Sequence, residues 1–390
     1  MKHENIRKLN NAGMYLIRLL FSVLHSKEIP SLPQTLDWET IYEMAKKHSV
    51  EVMAFYGAEA SIKNNSSLYA RWKNSKDINM LQNLLQKEQA EELFRSLGQA
   101  NIRFMPLKGF EIKSLYTPQE FRQMADIDIL IDPSNALRTR EIMENLGYQT
   151  VSFGIMHHDE YFKAPYVMVE IHRQLLLPGD SNQLYYDTIW EKAVPISGLP
   201  NGWKLIPEDF YIYQIVHFHK HYNRAGSGIR SLLDIYVFLD KFREMLDRSY
   251  IEQELRKLGL YDFCIEMEEL SHYWFSEFNK STDFSSKKLE ELQLDIFLSG
   301  VFGSREFSKT KYMKKNRIEK GFKNYLSYFW KRIFFSRKEL EYLYPALKKR
   351  PYLLPVCEIH RLVDAVLHKK DSIRKEWELF RLHSRKKKKP

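Results

Sequence analysis

The chain has 390 residues, 44% of them hydrophobic and 28% charged, with 60 Lys and Arg against 50 Asp and Glu. These proportions exclude a disordered chain and allow two or three modest folded domains. Cys264 and Cys357 are too few for a disulfide framework and lack zinc-site spacing. No run approaches the roughly 18 uncharged apolar residues of a bilayer span, so the transmembrane class is excluded. The opening MKHENIRKLNN is polar and lacks a signal-peptide pattern, which makes a reducing cytoplasm the expected location.

Residues 1–98 read as a helical region, beginning with amphipathic runs at 11–25 and 38–60. Its best-defined helix is expected to open after Asp77 as N-cap. Ile78, Leu81, Leu84, Leu85, Leu93, Phe94 and Leu97 then recur at helical spacing, and Gly98 supplies a stop.

The period changes over 99–204. Residues 102–107 form a short apolar run ending at Lys108-Gly109, a strand turning into a helix that continues through Tyr116 until Pro118 closes it. DIDILI at 126–131 reads as a strand, after which Asp132 as cap and Pro133 in the first turn start a helix that stops at Gly147. Further strands are expected at 148–153 and at 166–172, YVMVEIH. This order implies an α+β core, a small mixed sheet with flanking helices.

From 205 to 390 the chain reads as helical again, with apolar periodicity at 209–221, 229–242, 251–276 and 287–298. Residues 301–350 hold 15 Lys or Arg against four Glu, and the chain ends in a basic tail, Arg385 to Lys389. Such segments contact polyanions (nucleic acid, anionic lipid, nucleotide phosphate) or form a solvated helical surface. In 321–338 aromatic and basic residues interleave, the pattern of a helix packing its rings inward with its charges in water.

Alternation along a strand projects Asp126 and Asp128 from one face, and Tyr166, Met168, Glu170 and His172 from one face of the later strand. If the two strands are neighbours, three carboxylates converge. Clustered negative charges repel, and hard divalent cations relieve them, two together being the usual clamp for in-line phosphoryl chemistry. Lys108 and Gly109 at a strand-to-helix turn, and Arg122 four residues before Asp126, are placed to meet phosphate oxygens.

Taken together, LKG (107–109), R-x-x-x-D-I-D-I-L (122–130) and V-x-V-E-I-H (167–172) resemble the uncharacterised bacterial nucleotidyltransferase family of the DNA polymerase beta-like superfamily. The resemblance is strongest over 99–175 and extends, with less specific motifs, to HFHKHYN, GIRSLLDIY and YPALKKRPYLLP. It implies a polymerase beta-like core with Gly109 in the glycine motif, although Phe110 follows where Ser or Gly is usual. It also implies catalytic Asp126, Asp128 and Glu170 holding Mg²⁺ or Mn²⁺, with Arg230 as a further phosphate contact.

The expected reaction is transfer of a nucleoside monophosphate from an NTP to an acceptor hydroxyl on a small molecule, protein side chain or RNA end, with release of pyrophosphate. The alternatives are a non-catalytic nucleotide-binding module and a basic adaptor for nucleic acid or membrane surfaces. Arg230 and Asp234 are spaced to pair on one helix. His217 and His221 share a helical face with no third ligand in sequence, so helix hydrogen bonding is the expectation for them.

Overall fold

The computed structural model describes residues 3–154, 157–176, 180, 182–224, 226–277, 287–301, 337, 340, 341, 344, 347 and 349–368. The chain divides into two compact units, Met1–Leu176 with Leu184–Ser308, and Leu177–Gln183 with Lys309–Pro390.

The first unit opens with helices α1 (His3–Leu24), α2 (Trp38–Lys47), α3 (Glu51–Ile62) and α4 (Ser66–Gln99). Asp77 does not start a helix. It lies inside the 34-residue α4, whose N-cap is Asn65, accepting from the Leu68 N–H at 3.2 Å. No breaker interrupts residues 66–97, and the Asp77 carboxylate pairs with Lys73 one turn back at 2.6 Å instead of capping. The apolar stripe is also divided in its burial. Leu93, Phe94 and Leu97 are buried, whereas Ile78, Leu81 and Leu84 are exposed. Gly98 sits in the last turn because the Pro200 carbonyl approaches it so closely that a side chain's Cβ would stand 2.7 Å from that oxygen.

Five strands form one mixed sheet in the order β1-β2-β5-β4-β3. They are β1 (Phe104–Pro106), β2 (Ile127–Ile131), β3 (Gln149–Ser152), β4 (His158–Lys163) and β5 (Val167–His172). Only β2 and β5 run parallel; the other neighbours are antiparallel. Two short helices interrupt the strands, α5 (Gly109–Lys113) and α6 (Ala136–Asn145). Asp132 does cap the turn before α6, accepting from the Ser134 N–H at 2.9 Å, and Gly147 takes φ +84° just beyond the helix. Strand β4 has no counterpart among the expected elements.

A hairpin pair, β6 (Ala193–Pro195) and β7 (Trp203–Leu205), leads into α7 (Pro207–Arg224), α8 (Ile229–Phe242), α9 (Arg248–Lys257), α10 (Tyr261–Phe275) and α11 (Lys287–Ser299). Two apolar cores follow from strand alternation. Ile127, Ile129 and Ile131 of β2 join Tyr161, Val169 and Ile171 against Phe94 and Leu97 of α4. Leu130, from the opposite face of β2, joins Met105, Leu107 and the helices α1, α3, α7 and α8. At about 1.5–3 kcal/mol for each buried aliphatic side chain, these opposed cores fix the facing of the sheet. The Asp126–Asp128 side is thereby turned toward the C-terminal helices.

In the second unit the described residues include a 3-10 turn, Pro351–Leu353, running into α12 (Leu354–His368). Glu358 and Arg361 pair there at 2.7 Å. Most of the basic segment 301–350, the aromatic-basic stretch 321–338 apart from Arg337, and the Arg385–Lys389 tail lie outside the described residues. Among the described residues no helix is long and apolar enough to cross a membrane.

Candidate active site

Asp128 on β2 stands opposite Glu170 on β5 in the parallel register, and His172 stands opposite Leu130 two residues further on. Asp126 precedes β2 by one residue and projects to the same side as Asp128. Strand β4 extends this face, with Glu160 opposite Glu170 and His158 opposite His172. The carboxylate face therefore also carries two residues that the sequence motifs do not single out. Their strand escapes periodicity because its site-facing positions are polar: HDEYFK alternates, but without an apolar stripe on both sides.

The three carboxylates are electrostatically unequal. Burial and repulsion from Asp128 and Glu170 push Asp126 up to about 6, against the pull of Lys108 and Arg230. Burial acts the same way on Asp128, but there the Lys108 ammonium and a His172 hydrogen bond outweigh it and hold the carboxyl well below its ordinary range. Glu170 is also lowered: burial opposes this, and the His172 hydrogen bond and nearby His158 prevail. His172 Nε2 lies 2.7 Å from Asp128 Oδ1 and 3.4 Å from Glu170 Oε2. Lys108 Nζ reaches the same Oδ1 at 3.2 Å. Both contacts fall on one oxygen of Asp128, and Asp128, Glu170 and His172 bring ligand atoms within 4.8 Å of one another, a group that does not include Asp126.

Lys108 links β1 to α5 at φ 37° and ψ −103°, a left-handed conformation that costs a non-glycine residue on the order of 1–3 kcal/mol. Strain of this kind persists where surrounding contacts hold it, and here Asp128 does so. Beside it, Gly109 is tightly packed: a Cβ would meet Met124 Sδ at 3.1 Å and Arg122 Nη1 at 3.2 Å. The glycine at this position admits protein side chains, rather than leaving open room for a ligand.

The arginines exchange the partners that helical spacing suggests. Asp234 is bound not by Arg230 but by Arg122, through Nε at 3.1 Å and Nη2 at 2.9 Å, with the Tyr116 hydroxyl donating at 2.8 Å. Arg230, one turn before Asp234 on α8, instead donates from Nη1 to the Gln123 carbonyl at 3.1 Å. Burial and repulsion from Arg122 lower its guanidinium to about 10, while Asp234 and Asp126 pull the other way. Arg230 thus adds to the pull of Lys108 on Asp126, and Arg122 is held in the ion pair with Asp234.

Helix α7 supplies a further wall. Tyr213 is buried, its hydroxyl has no hydrogen-bond partner among the described residues, and burial near Asp128 and Glu170 pushes it up to about 12 despite Lys108. His217 is held well below its ordinary value by burial and by Lys108, and its Nε2 lies 2.9 Å from His221 Nε2. Helix hydrogen bonding does account for that histidine pair, but His217 also feels the field of Asp128. Neither Tyr213 nor His217 could be placed at this site from spacing alone, because strands β3 to β7 and helix α6 lie between β2 and α7.

No curated protein and no solved structure matches the chain. A family model described as an uncharacterised nucleotidyltransferase matches residues 34–276, which takes in the whole sheet together with α7, α8 and the cleft they line. The chain belongs to this nucleotidyltransferase family.

Proposed function

We propose that this nucleotidyltransferase moves a nucleoside monophosphate from an NTP to an acceptor hydroxyl, with Asp126, Asp128 and Glu170 holding Mg²⁺ or Mn²⁺. The observation that carries the reading is the register pairing of Asp128 with Glu170, with Asp126 two residues upstream on the same face. The donor set suits a hard dication. It consists of carboxylate oxygens, and burial together with mutual repulsion raises Asp126, a cost that bound positive charge would lower. When bound, such an ion supplies electrostatic stabilisation of charge on the triphosphate and acceptor oxygens.

The chain's own residues supply the rest. Asp126 and Asp128 would hold the ion that stabilises the triphosphate, and Glu170 would add a ligand toward the acceptor. Lys108 neutralises triphosphate charge from its strained turn at Gly109, and Arg230 does so from α8. Arg122 holds Asp234 and packs on Gly109, so its part is to position Arg230 and the turn rather than to touch phosphate. His172 orients Asp128 through its 2.7 Å contact.

The test is incubation of the full chain with each NTP labelled at its α-phosphate, Mg²⁺, and cell extract as the source of acceptor. Label should appear on an acceptor with pyrophosphate released, and Asp128→Asn should abolish both. Transfer that survives Asp128→Asn would remove the carboxylates from the reaction.

A further inference from the structure

We infer that His157, His158 and His172 form a transition-metal site, of the kind that takes Zn²⁺, beside the carboxylate site and joined to it through the His172–Asp128 contact. The three rings cluster at the end of β4 and β5. Their centroids are 4.6 Å apart for His157 and His158, 5.5 Å for His157 and His172, and 5.1 Å for His158 and His172. Each ring brings one nitrogen within 4.8 Å of the other two, against roughly 3.4 Å between tetrahedral zinc ligands.

The burial pattern makes this more than a histidine-rich patch. His157 is 8% exposed and His172 2%. Nδ1 of all three rings is buried with no hydrogen-bond partner among the described residues. Three orphaned nitrogens in one place cost on the order of 1–3 kcal/mol each, and a shared ligand would satisfy them together.

Two of the three opposite nitrogens have partners. His172 Nε2 faces Asp128 at 2.7 Å, and His158 Nε2 faces Glu160 at 3.3 Å. A carboxylate accepts, so each Nε2 carries the proton, and Nδ1 is the atom left to ligate. This is the carboxylate–histidine–metal arrangement, in which the outer carboxylate fixes the ring and raises its basicity. Backbone geometry holds the third ring, since the Arg173 N–H donates to the His157 carbonyl at 2.9 Å.

Imidazole nitrogens select Zn²⁺ and its neighbours over Mg²⁺, which prefers oxygen. The two adjacent sites therefore differ in hardness, with the His172–Asp128 contact coupling them. Three neutral ligands bring no charge, and Asp128, Glu160 and Glu170 nearby balance the cation. Three protein nitrogens also leave a fourth position for an exchangeable ligand. The inference goes beyond nucleotidyl transfer and does not depend on it.

The test is titration of Zn²⁺ into untagged, chelator-stripped full-length protein without nucleotide, followed by calorimetry and by the visible absorption of the Co²⁺-substituted form. Wild type should bind one Zn²⁺ per chain. His157→Gln should weaken binding by about 100-fold or more and lose the cobalt band, while Asp126→Asn keeps both. Far-UV circular dichroism checks folding, and His158→Gln serves as the second variant if His157→Gln is unfolded. Equal zinc affinity in wild type and the folded histidine variant would overturn the inference. So would a loss in Asp126→Asn as large as that in the histidine variant, because the ion would then sit among the carboxylates. Failure of labelled NTP transfer with zinc binding intact would count against the proposed reaction alone.

Discussion

Arg122 and Asp234, 112 residues apart in the chain, meet in a two-pronged ion pair that ties the loop before β2 to helix α8. Their side chains are 10% and 13% exposed, so removing one partner strands a charge that is largely out of water. Arg122→Ala should destabilise the fold by about 3–5 kcal/mol, read as a lower denaturant midpoint. Arg230→Ala should leave the midpoint nearly unchanged and weaken NTP binding instead. If Arg230→Ala destabilises the protein as much as Arg122→Ala does, the division between a structural and a ligand-facing arginine is wrong.

Asp126 gives a pH-dependent prediction. Burial and the neighbouring Asp128 and Glu170 push its carboxyl up to about 6 in the fold, from about 3.8 in the unfolded chain. Relative to the charged form, the protonated form stabilises the native state. That stability is fully present below about 3.8 and is lost as pH rises through about 6. Asp126→Asn should therefore raise the melting temperature at pH 8 by about 2–5 °C, with the gain fading below pH 5. A constant difference across this range would mean that repulsion at Asp126 is not its source.

Metal affinity should follow the same carboxylates. Asp126→Asn, Asp128→Asn and Glu170→Gln should each abolish Mn²⁺ binding in the presence of NTP while leaving the circular dichroism spectrum intact. Calorimetry showing equal Mn²⁺ affinity in any of the three removes that residue from the metal set.

For Lys108, the expected loss on Lys108→Ala is roughly 1.5–3 kcal/mol of affinity for a nonhydrolysable NTP, the range for hydrogen bonds to charged groups. Deleting residues 385–390 should leave that affinity unchanged, because a solvated lysine run is screened within about 8 Å at physiological salt. A larger loss from the tail deletion than from Lys108→Ala would move the phosphate site away from β1.

By itself the sequence determined the facing of the carboxylates within each strand. Two-residue alternation in DIDILI and VMVEIH leaves no other way to bury Ile127, Ile129, Val169 and Ile171 while keeping Asp126, Asp128 and Glu170 on the opposite side. It also determined the cap at Asp132 and the helical character of the N-terminal flank and of the described segments after β7, because these depend on residues a few positions apart. It misplaced the start of α4, since Asp77 had a local alternative partner in Lys73 that spacing does not weigh. Tertiary structure alone decided that β2 and β5 are neighbours in a register joining Asp128 to Glu170, and that β4 adds His158 and Glu160 to the same face. It alone decided that Asp234 pairs with Arg122 rather than with Arg230, and that Tyr213 and His217 close the cleft. Each of these contacts spans tens of residues or more, and which partner wins depends on the shape of the packed core. A one-dimensional pattern does not contain that competition between buried partners.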